Sequence, residues 1–326
     1  MKLLFWQWHS FMGKGVERAL RKLEVEYDTF FYQMNDWEKD EIFAEQLEGR
    51  LATGQYNIVF SINFNPIISE VCEMHHIAYR AWVYDSPIHI RNLTPLKNTY
   101  TKAYFFDRGQ VLEYQKNGIP AEYLPLAADV ETFSSIAVSE QERKEYQSEI
   151  SLVGQLYQTV YPQYAAPLDA YEKGYLEGIM AAQKMVYGGY FLPDFLTDEL
   201  IRKMNAAYQK AWNGNIAVNK REVEFLLASE ITRRERFEIL SLLSNHFDVA
   251  LYSGDSDAHL NKLRHKSYVD YYSVMPKVFK TSAINLNISL KTIRTGIPLR
   301  IFDILASGGF VISNFQEELA EYFKLG

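Results

Sequence analysis

Lys291-Thr-Ile-Arg-Thr-Gly-Ile-Pro-Leu-Arg-Ile-Phe-Asp-Ile-Leu-Ala-Ser-Gly-Gly-Phe-Val-Ile-Ser-Asn314 is the stretch that decides the fold class. Its punctuation predicts a loop, a short helix, a tight turn and a strand. Pro298 suits a first helical turn, where a missing N–H costs nothing, and Gly308-Gly309 suits a left-handed helix cap. Phe310-Val-Ile is a short apolar run of the kind that makes a parallel strand covered on both faces. Within the helix, Ile301, Phe302 and Leu305 form an apolar stripe, and Arg300, Asp303 and Ser307 a polar one. Lys291, Arg294 and Arg300 stand near a helix N-terminus that follows a loop bearing Gly296. That combination suits a diphosphate, because free N–H groups and cationic side chains favour the same anion. The competing reading is an Arg300–Asp303 ion pair within the helix, contributing about 0.2–0.5 kcal/mol.

Working outward, the rest of the chain alternates in the same way. Residues 2–6 predict a strand, followed by a loop with Gly13 and Gly15 and a helix to about residue 23, the opening of a Rossmann-like unit. Gly13-x-Gly15-x-x-Arg18 departs from Gly-x-Gly-x-x-Gly, since Arg18 replaces the glycine that permits close packing, and Gly13-Lys14-Gly15 is not a P-loop. Strands at 27–32, 57–61, 79–84, 102–106 and 122–124 alternate with helices at 37–48, 66–75 and 109–117, which argues for a parallel sheet. The charged run before residue 149 marks an interdomain connection over 131–148. A strand then ends at Gly154. Helices at 167–187, 193–212 and 221–228 form an insertion over about 161–228. A helix at 232–245, strands at 248–252 and 268–271, a helix at 275–280 and a strand at 283–288 lead back to the opening stretch. A helix over 318–325, capped by Gly326, closes the chain.

Bulk properties bound the function. At 326 residues two domains are expected, 1–130 and 149–326. A formal net charge of −7 argues against a long electrostatic contact with nucleic acid. The single Cys72 excludes an internal disulfide and a cysteine metal cluster, and fits a reducing compartment. Residues 1–6 are too short for a signal-peptide core, and no apolar run reaches about 18 residues. The expectation is a soluble, cytoplasmic protein with no integral membrane segment. The 23 tyrosines serve either cores or sugar-binding surfaces, where a flat amphipathic ring covers a sugar face.

The run from Arg294 to Asn314 resembles the donor-site motif of the CgeB-like (spore maturation protein-like) glycosyltransferases, which are similar to GT-B enzymes carrying a Glu-x7-Glu motif. Trp82-Val-Tyr-Asp-Ser-Pro, Phe106-Asp-Arg and Tyr123-Leu-Pro-Leu-Ala-Ala-Asp129 resemble the N-terminal half of the same family. The resemblance implies an α/β GT-B fold: two Rossmann-like domains facing a cleft, the acceptor against the first, the nucleotide sugar on the second. It places Asp303 where the motif's second Glu contacts ribose, and Thr295 at the first Glu position. It also puts the nucleobase near Val269 and Asp270, and makes Gly154 a point of close approach for the donor or the opposing domain, where an ordinary strand-end turn is the alternative. Relative to the family the chain is expected to be truncated at its C-terminus.

Glycosyl transfer needs stabilisation of the leaving diphosphate and, for inversion, a base for the acceptor hydroxyl. His9 and Asp85 are the base candidates, since both follow strands at the edge where open α/β sheets bind ligands; a solvated loop His and a turn or cap Asp are the alternatives. Asp255-Ser-Asp257 has the look of a cation-binding pair, but its Ser-Gly-Asp-Ser-Asp-Ala context predicts a turn, and His75-His76 lacks ligand-type neighbours. No metal and no cofactor are expected beyond the UDP- or GDP-linked donor, with an unspecified glycan, protein or small-molecule acceptor and no nucleic acid. A catalytically idle sugar-nucleotide binder and an NAD-dependent oxidoreductase are the alternatives.

Overall fold

The computed structural model describes residues 1–214 and 216–324 and divides into two compact units, Met1–Asp129 with Thr295–Leu299, and Val130–Arg294 with Arg300 onward. The first unit runs β1 (Lys2–Gln7), α1 (Gly13–Lys22), β2 (Glu26–Phe31), α2 (Glu41–Leu51), β3 (Ile58–Ile62), α3 (Pro66–Met74), β4 (Ala78–Val83), β5 (Thr101–Phe105), α4 (Arg108–Lys116) and β6 (Ala121–Tyr123). All six strands pair in parallel in the order β2-β1-β3-β4-β5-β6. Helix starts are set locally, with Asp40, Asn65 and Asp107 each accepting a backbone N–H of the first turn. Leu4, Trp6, Val59, Tyr79 and Phe105 of the sheet meet Phe43 and Leu47 of α2 and Ile68 and Val71 of α3 in one core. The helix expected at 37–48 begins later, at Glu41, because the Asp40 carboxylate caps it there.

The second unit opens with α5 (Val130–Ser135) and α6 (Glu140–Tyr146), where a connection was expected over 131–148. Ser139 and Glu142 form a reciprocal capping box that starts α6, so the charged run is helical. Then follow β7 (Ser148–Val153), α7 (Tyr161–Ala165), α8 (Ala170–Lys184), α9 (Leu192–Phe195), α10 (Asp198–Trp212) and α11 (Lys220–Leu243). The remainder is β8 (Val249–Tyr252), β9 (Arg264–Lys266), α12 (Met275–Thr281), β10 (Ser282–Asn287), α13 (Leu299–Ala306), β11 (Val311–Ser313) and α14 (Leu319–Tyr322). The parallel sheet has the order β11-β10-β7-β8-β9.

Four differences from the sequence reading have physical causes. The helices expected at 221–228 and 232–245 are one 24-residue helix. Ser229 and Thr232 are buried within it, and the Thr232 hydroxyl donates back to the Ala228 carbonyl, so the polar side chains between the two expected helices do not interrupt the turn. The first half of α11 packs Val223, Leu227 and Ile231 into the helical insertion, while Leu240 packs on the sheet. Residues 268–271 are not a strand: Asp270 Oδ1 accepts from the backbone N–H of Tyr272 and Ser273, folding the segment into a turn before α12. β11 lies at the sheet edge, with Phe310 62% exposed, rather than covered on both faces. The expected closing helix is the short α14, and Leu325 and Gly326 lie outside the described residues. No described helix is long and apolar enough to cross a membrane.

Candidate functional site

Open parallel sheets bind ligands beyond the carboxyl ends of their strands, where neighbouring strands are connected in opposite directions. In the first unit that reversal lies between β1 and β3. β1 leads into Trp8 and His9, β3 into Asn63, and β4 into Tyr84 and Asp85. Asn63, at a left-handed φ of 61°, is buried and ties the β3 and β4 ends together. Its Oδ1 accepts from the backbone N–H of Tyr84 and Asp85 at 2.9 and 3.2 Å, and its Nδ2 donates to Asp85 Oδ2 at 2.6 Å. Burial outweighs that hydrogen bond and pushes the Asp85 carboxyl up to about 6. The Trp8 indole donates to the Ile62 carbonyl at 2.9 Å, and its ring lies parallel to Tyr84 and edge-on to Trp37. His9 is exposed, with its ring edge-on to Phe31. Since β3 lies between β1 and β4, the backbones leading to His9 and Asp85 are two strand spacings apart, about 10 Å.

In the second unit the reversal lies between β7 and β10. The residue that occupies it was missed by the sequence reading: Arg236 of α11. It is 9% exposed, its Nε donates to the Ile288 carbonyl at 3.1 Å, and its terminal nitrogens donate to the carbonyls of Gln155 and Ile288. Those carbonyls follow β7 and β10, so one guanidinium spans the two strand ends. Its plane covers the Tyr157 ring at 4.7 Å. Arg236 has no ion-pair partner among the described residues, and burial, with the positive charge of Arg300 as a further contribution, depresses its pKa. Gly154 sits beside it at φ 154°, and a side chain there would meet the guanidinium at 3.4 Å. The only sequence signal was the cluster Arg233-Arg234-Glu235-Arg236, which looks like a solvated face.

The opening stretch resolves into separate parts. Lys291 is buried and pairs with buried Glu235 at 2.9 Å, under the Tyr187 ring. Arg294 lies over the Tyr190 ring at 5.0 Å. Gly296 counts with the first unit, where an added Cβ would strike the Phe106 carbonyl at 2.7 Å. Beside it, the Thr295 hydroxyl donates to Asp107 Oδ1 and accepts from the Gly109 N–H, both at 3.0 Å. α13 starts at Leu299, directly after Pro298, and ends as expected: Gly308 is left-handed, and the N–H groups of Gly308 and Gly309 return to Leu305 and Ile304. Its buried residues are Ile301, Asp303 and Ile304, while Leu305 is 39% exposed, so the expected polar stripe does not point outward.

The Arg300–Asp303 pair of the competing reading is present at 3.6 Å. Asp303 also accepts from the Tyr271 hydroxyl at 2.8 Å, and burial pushes its carboxyl up to about 6. Val269 packs around the Phe133 and Met275 cluster, while the Asp270 carboxylate is engaged in its own turn. Asp255 accepts from the Leu156 N–H and so ties the segment after β8 to the one after β7, while Asp257 accepts from His259 in a local turn; no group of three or more metal-ligating side chains occurs among the described residues.

Residues 221–326, which include Arg236 and all of the opening stretch, match a family model described as glycosyl transferase-like. No curated protein matches the sequence. Among solved structures, the chain is similar to a UDP-forming α,α-trehalose-phosphate synthase from Burkholderia xenovorans, with 11% identity, 98% of this chain and 85% of that chain covered, and a TM-score of 0.47. It is similar to a glycosyltransferase from Rickettsia africae at 10% identity, with 99% and 82% covered and a TM-score of 0.48. A third similar structure is Anabaena Alr3699/HepE in complex with UDP, at 8% identity, 100% and 84% coverage and a TM-score of 0.41. Glycosyl transfer is the activity that the family match supports.

Proposed function

We propose that the chain moves a glycosyl group from a nucleoside diphosphate sugar to an acceptor hydroxyl, and that it stands with the CgeB-like transferases. The observation that carries the donor half is Arg236, a buried guanidinium with no ion-pair partner among the described residues, at the β7/β10 strand ends and inside the matched segment. A buried cation facing a second arginine is costly until an anion arrives, and a diphosphate is an anion of matching shape for guanidinium donors. Arg236 and Arg300 therefore hold the diphosphate, with Gly154 leaving the backbone free to approach it. Asp303 takes ribose hydroxyls in exchange for the Tyr271 phenol, and the turn at Val269 and Asp270 lies against the base.

Asp85 is the better base candidate. Its carboxyl is oriented by Asn63 and lifted to about 6, close to the value that suits a base near neutrality. In the transfer, the acceptor oxygen bonds to the anomeric carbon, the bond from that carbon to the phosphate oxygen breaks, the nucleoside diphosphate leaves with the electron pair, and the acceptor proton passes to Asp85. The buried, reduced Cys72 fits a cytoplasmic setting.

Thermal unfolding with UDP, GDP and NAD(H) tests the assignment. Stabilisation by UDP or GDP, and not by NAD(H), is expected. Stabilisation by NAD(H) alone would overturn it in favour of a nicotinamide-dependent oxidoreductase.

A further inference from the structure

We infer that the acceptor is a carbohydrate, docked with one pyranose face on the Trp8–Tyr84 rings and its hydroxyls toward Asp85. This inference rests on the glycosyl-transfer reading and adds to it the chemical class of the acceptor. Three observations in the first unit point the same way.

The first is the rings. Trp8 and Tyr84, both half-buried, lie within 8° of parallel with centroids 6.3 Å apart, and Trp37 stands against Trp8 at 88° and 4.9 Å. Parallel aromatic faces match the flat C–H face of a pyranose, and such rings combine apolar area with few rotatable bonds. The second is rigidity. The Trp8 indole is fixed by its hydrogen bond to the Ile62 carbonyl, and the Tyr84 backbone by the bond from its N–H to Asn63 Oδ1, so the surface exists before a ligand arrives. The third is the carboxyl of Asp85, next in sequence to Tyr84. Asn63 engages its Oδ2, and a carboxylate oxygen is an acceptor for sugar hydroxyls.

The combination discriminates between acceptor classes. An alkyl chain has no use for an oriented carboxylate, and burying one against a lipid tail is unfavourable. An acidic acceptor meets like charge at Asp85. A neutral sugar satisfies both the rings and the carboxylate. Trp8 follows β1 at the β1/β3 reversal, and Tyr84 and Asp85 follow β4, the next strand along, so the group lies at the strand-end edge where the fold itself favours a ligand.

Saturation-transfer NMR on the full chain tests the inference, using methyl α- and β-glycosides of glucose, galactose, mannose and N-acetylglucosamine as probes. Transfer to the ring C–H protons of at least one glycoside is expected. Tyr84→Ala should weaken that binding about tenfold. Trp8→Phe, which keeps a ring but loses the Ile62 hydrogen bond, should weaken it less. Silence from every glycoside overturns the inference, as does binding that Tyr84→Ala leaves unchanged in a variant with wild-type near-UV circular dichroism. The same samples receive UDP and GDP. A nucleotide signal with silent glycosides removes only the carbohydrate acceptor, whereas glycoside binding without any nucleotide signal removes the donor assignment instead.

Discussion

Replacing Asp85 by Asn separates catalysis from stability, because the two effects run in opposite directions. The carboxyl ordinarily titrates near 3.8 and is pushed up to about 6 by burial. Between those values the folded chain holds a proton that the unfolded chain has released, so stability falls as pH rises through the window. At 1.36 kcal/mol per pH unit the loss above pH 6 is at most about 3 kcal/mol, trimmed by water at this half-buried side chain. Asn cannot ionise, and its carbonyl still accepts from Asn63 Nδ2. The variant should therefore be more stable than the parent at pH 8 by about 1–3 kcal/mol, a rise of several degrees in melting temperature, with the advantage gone at pH 3.5. Turnover should fall about 10²–10⁴-fold, the usual contribution of a positioned base. The wild-type rate should climb with pH through about 6, where the base ionises, and the variant should lack that limb. Differential scanning fluorimetry across pH and a nucleoside-diphosphate release assay read the two quantities. A variant that turns over normally, or that melts lower at pH 8, would falsify this assignment of Asp85.

Arg236→Met should weaken UDP or GDP binding about 10- to 150-fold by calorimetry, the equivalent of one or two charge-assisted hydrogen bonds. Unchanged affinity would return Arg236 to a purely structural tie between the Gln155 and Ile288 carbonyls. Glu235→Gln leaves buried Lys291 without its countercharge and should cost about 3–5 kcal/mol in urea unfolding, while Glu235→Gln combined with Lys291→Met should recover most of that loss. Equal stability of the single variant and the parent would show that Lys291 draws its countercharge from elsewhere.

What could be read from the sequence was what depends on neighbours along the chain. Strand and helix alternation over the first 123 residues followed from hydrophobic period and turn chemistry, and the Gly308 cap from the need for a left-handed residue after α13. The i, i+3 spacing of Arg300 and Asp303 disclosed their pairing. Tyr271, which reaches Asp303 from 32 positions away, left no local trace. The segment at 268–271 misled for a related reason: its aromatic and β-branched residues suit a strand, but the Asp270 carboxylate accepts from the backbone N–H groups of Tyr272 and Ser273 and turns the chain into α12.

Arg236 shows why sites resist local reading more than folds do. Four consecutive charged residues of α11 have separate fates: Arg233 and Arg234 pair with Glu230, Glu235 with Lys291, and Arg236 with two strand-end carbonyls. On a helix these residues step by about 100° each and address different neighbours, so a run that looks uniform in sequence cannot be uniform in structure. Which of them meets the β7/β10 strand ends is decided by how α11 lies on the sheet, through contacts such as Leu240 with the strand residues. Strand order then gives the choice its meaning. Each sheet reverses its winding beside the first strand of its own unit; in the second unit Arg236 ties the two strand ends at the reversal itself, and in the first Asn63, at the end of β3, ties that strand to the neighbouring end of β4. An amide that orients a carboxylate suits proton transfer, and a guanidinium with no ion-pair partner among the described residues suits an anion, so the division of labour proposed above follows from which residue type folding delivers to each position.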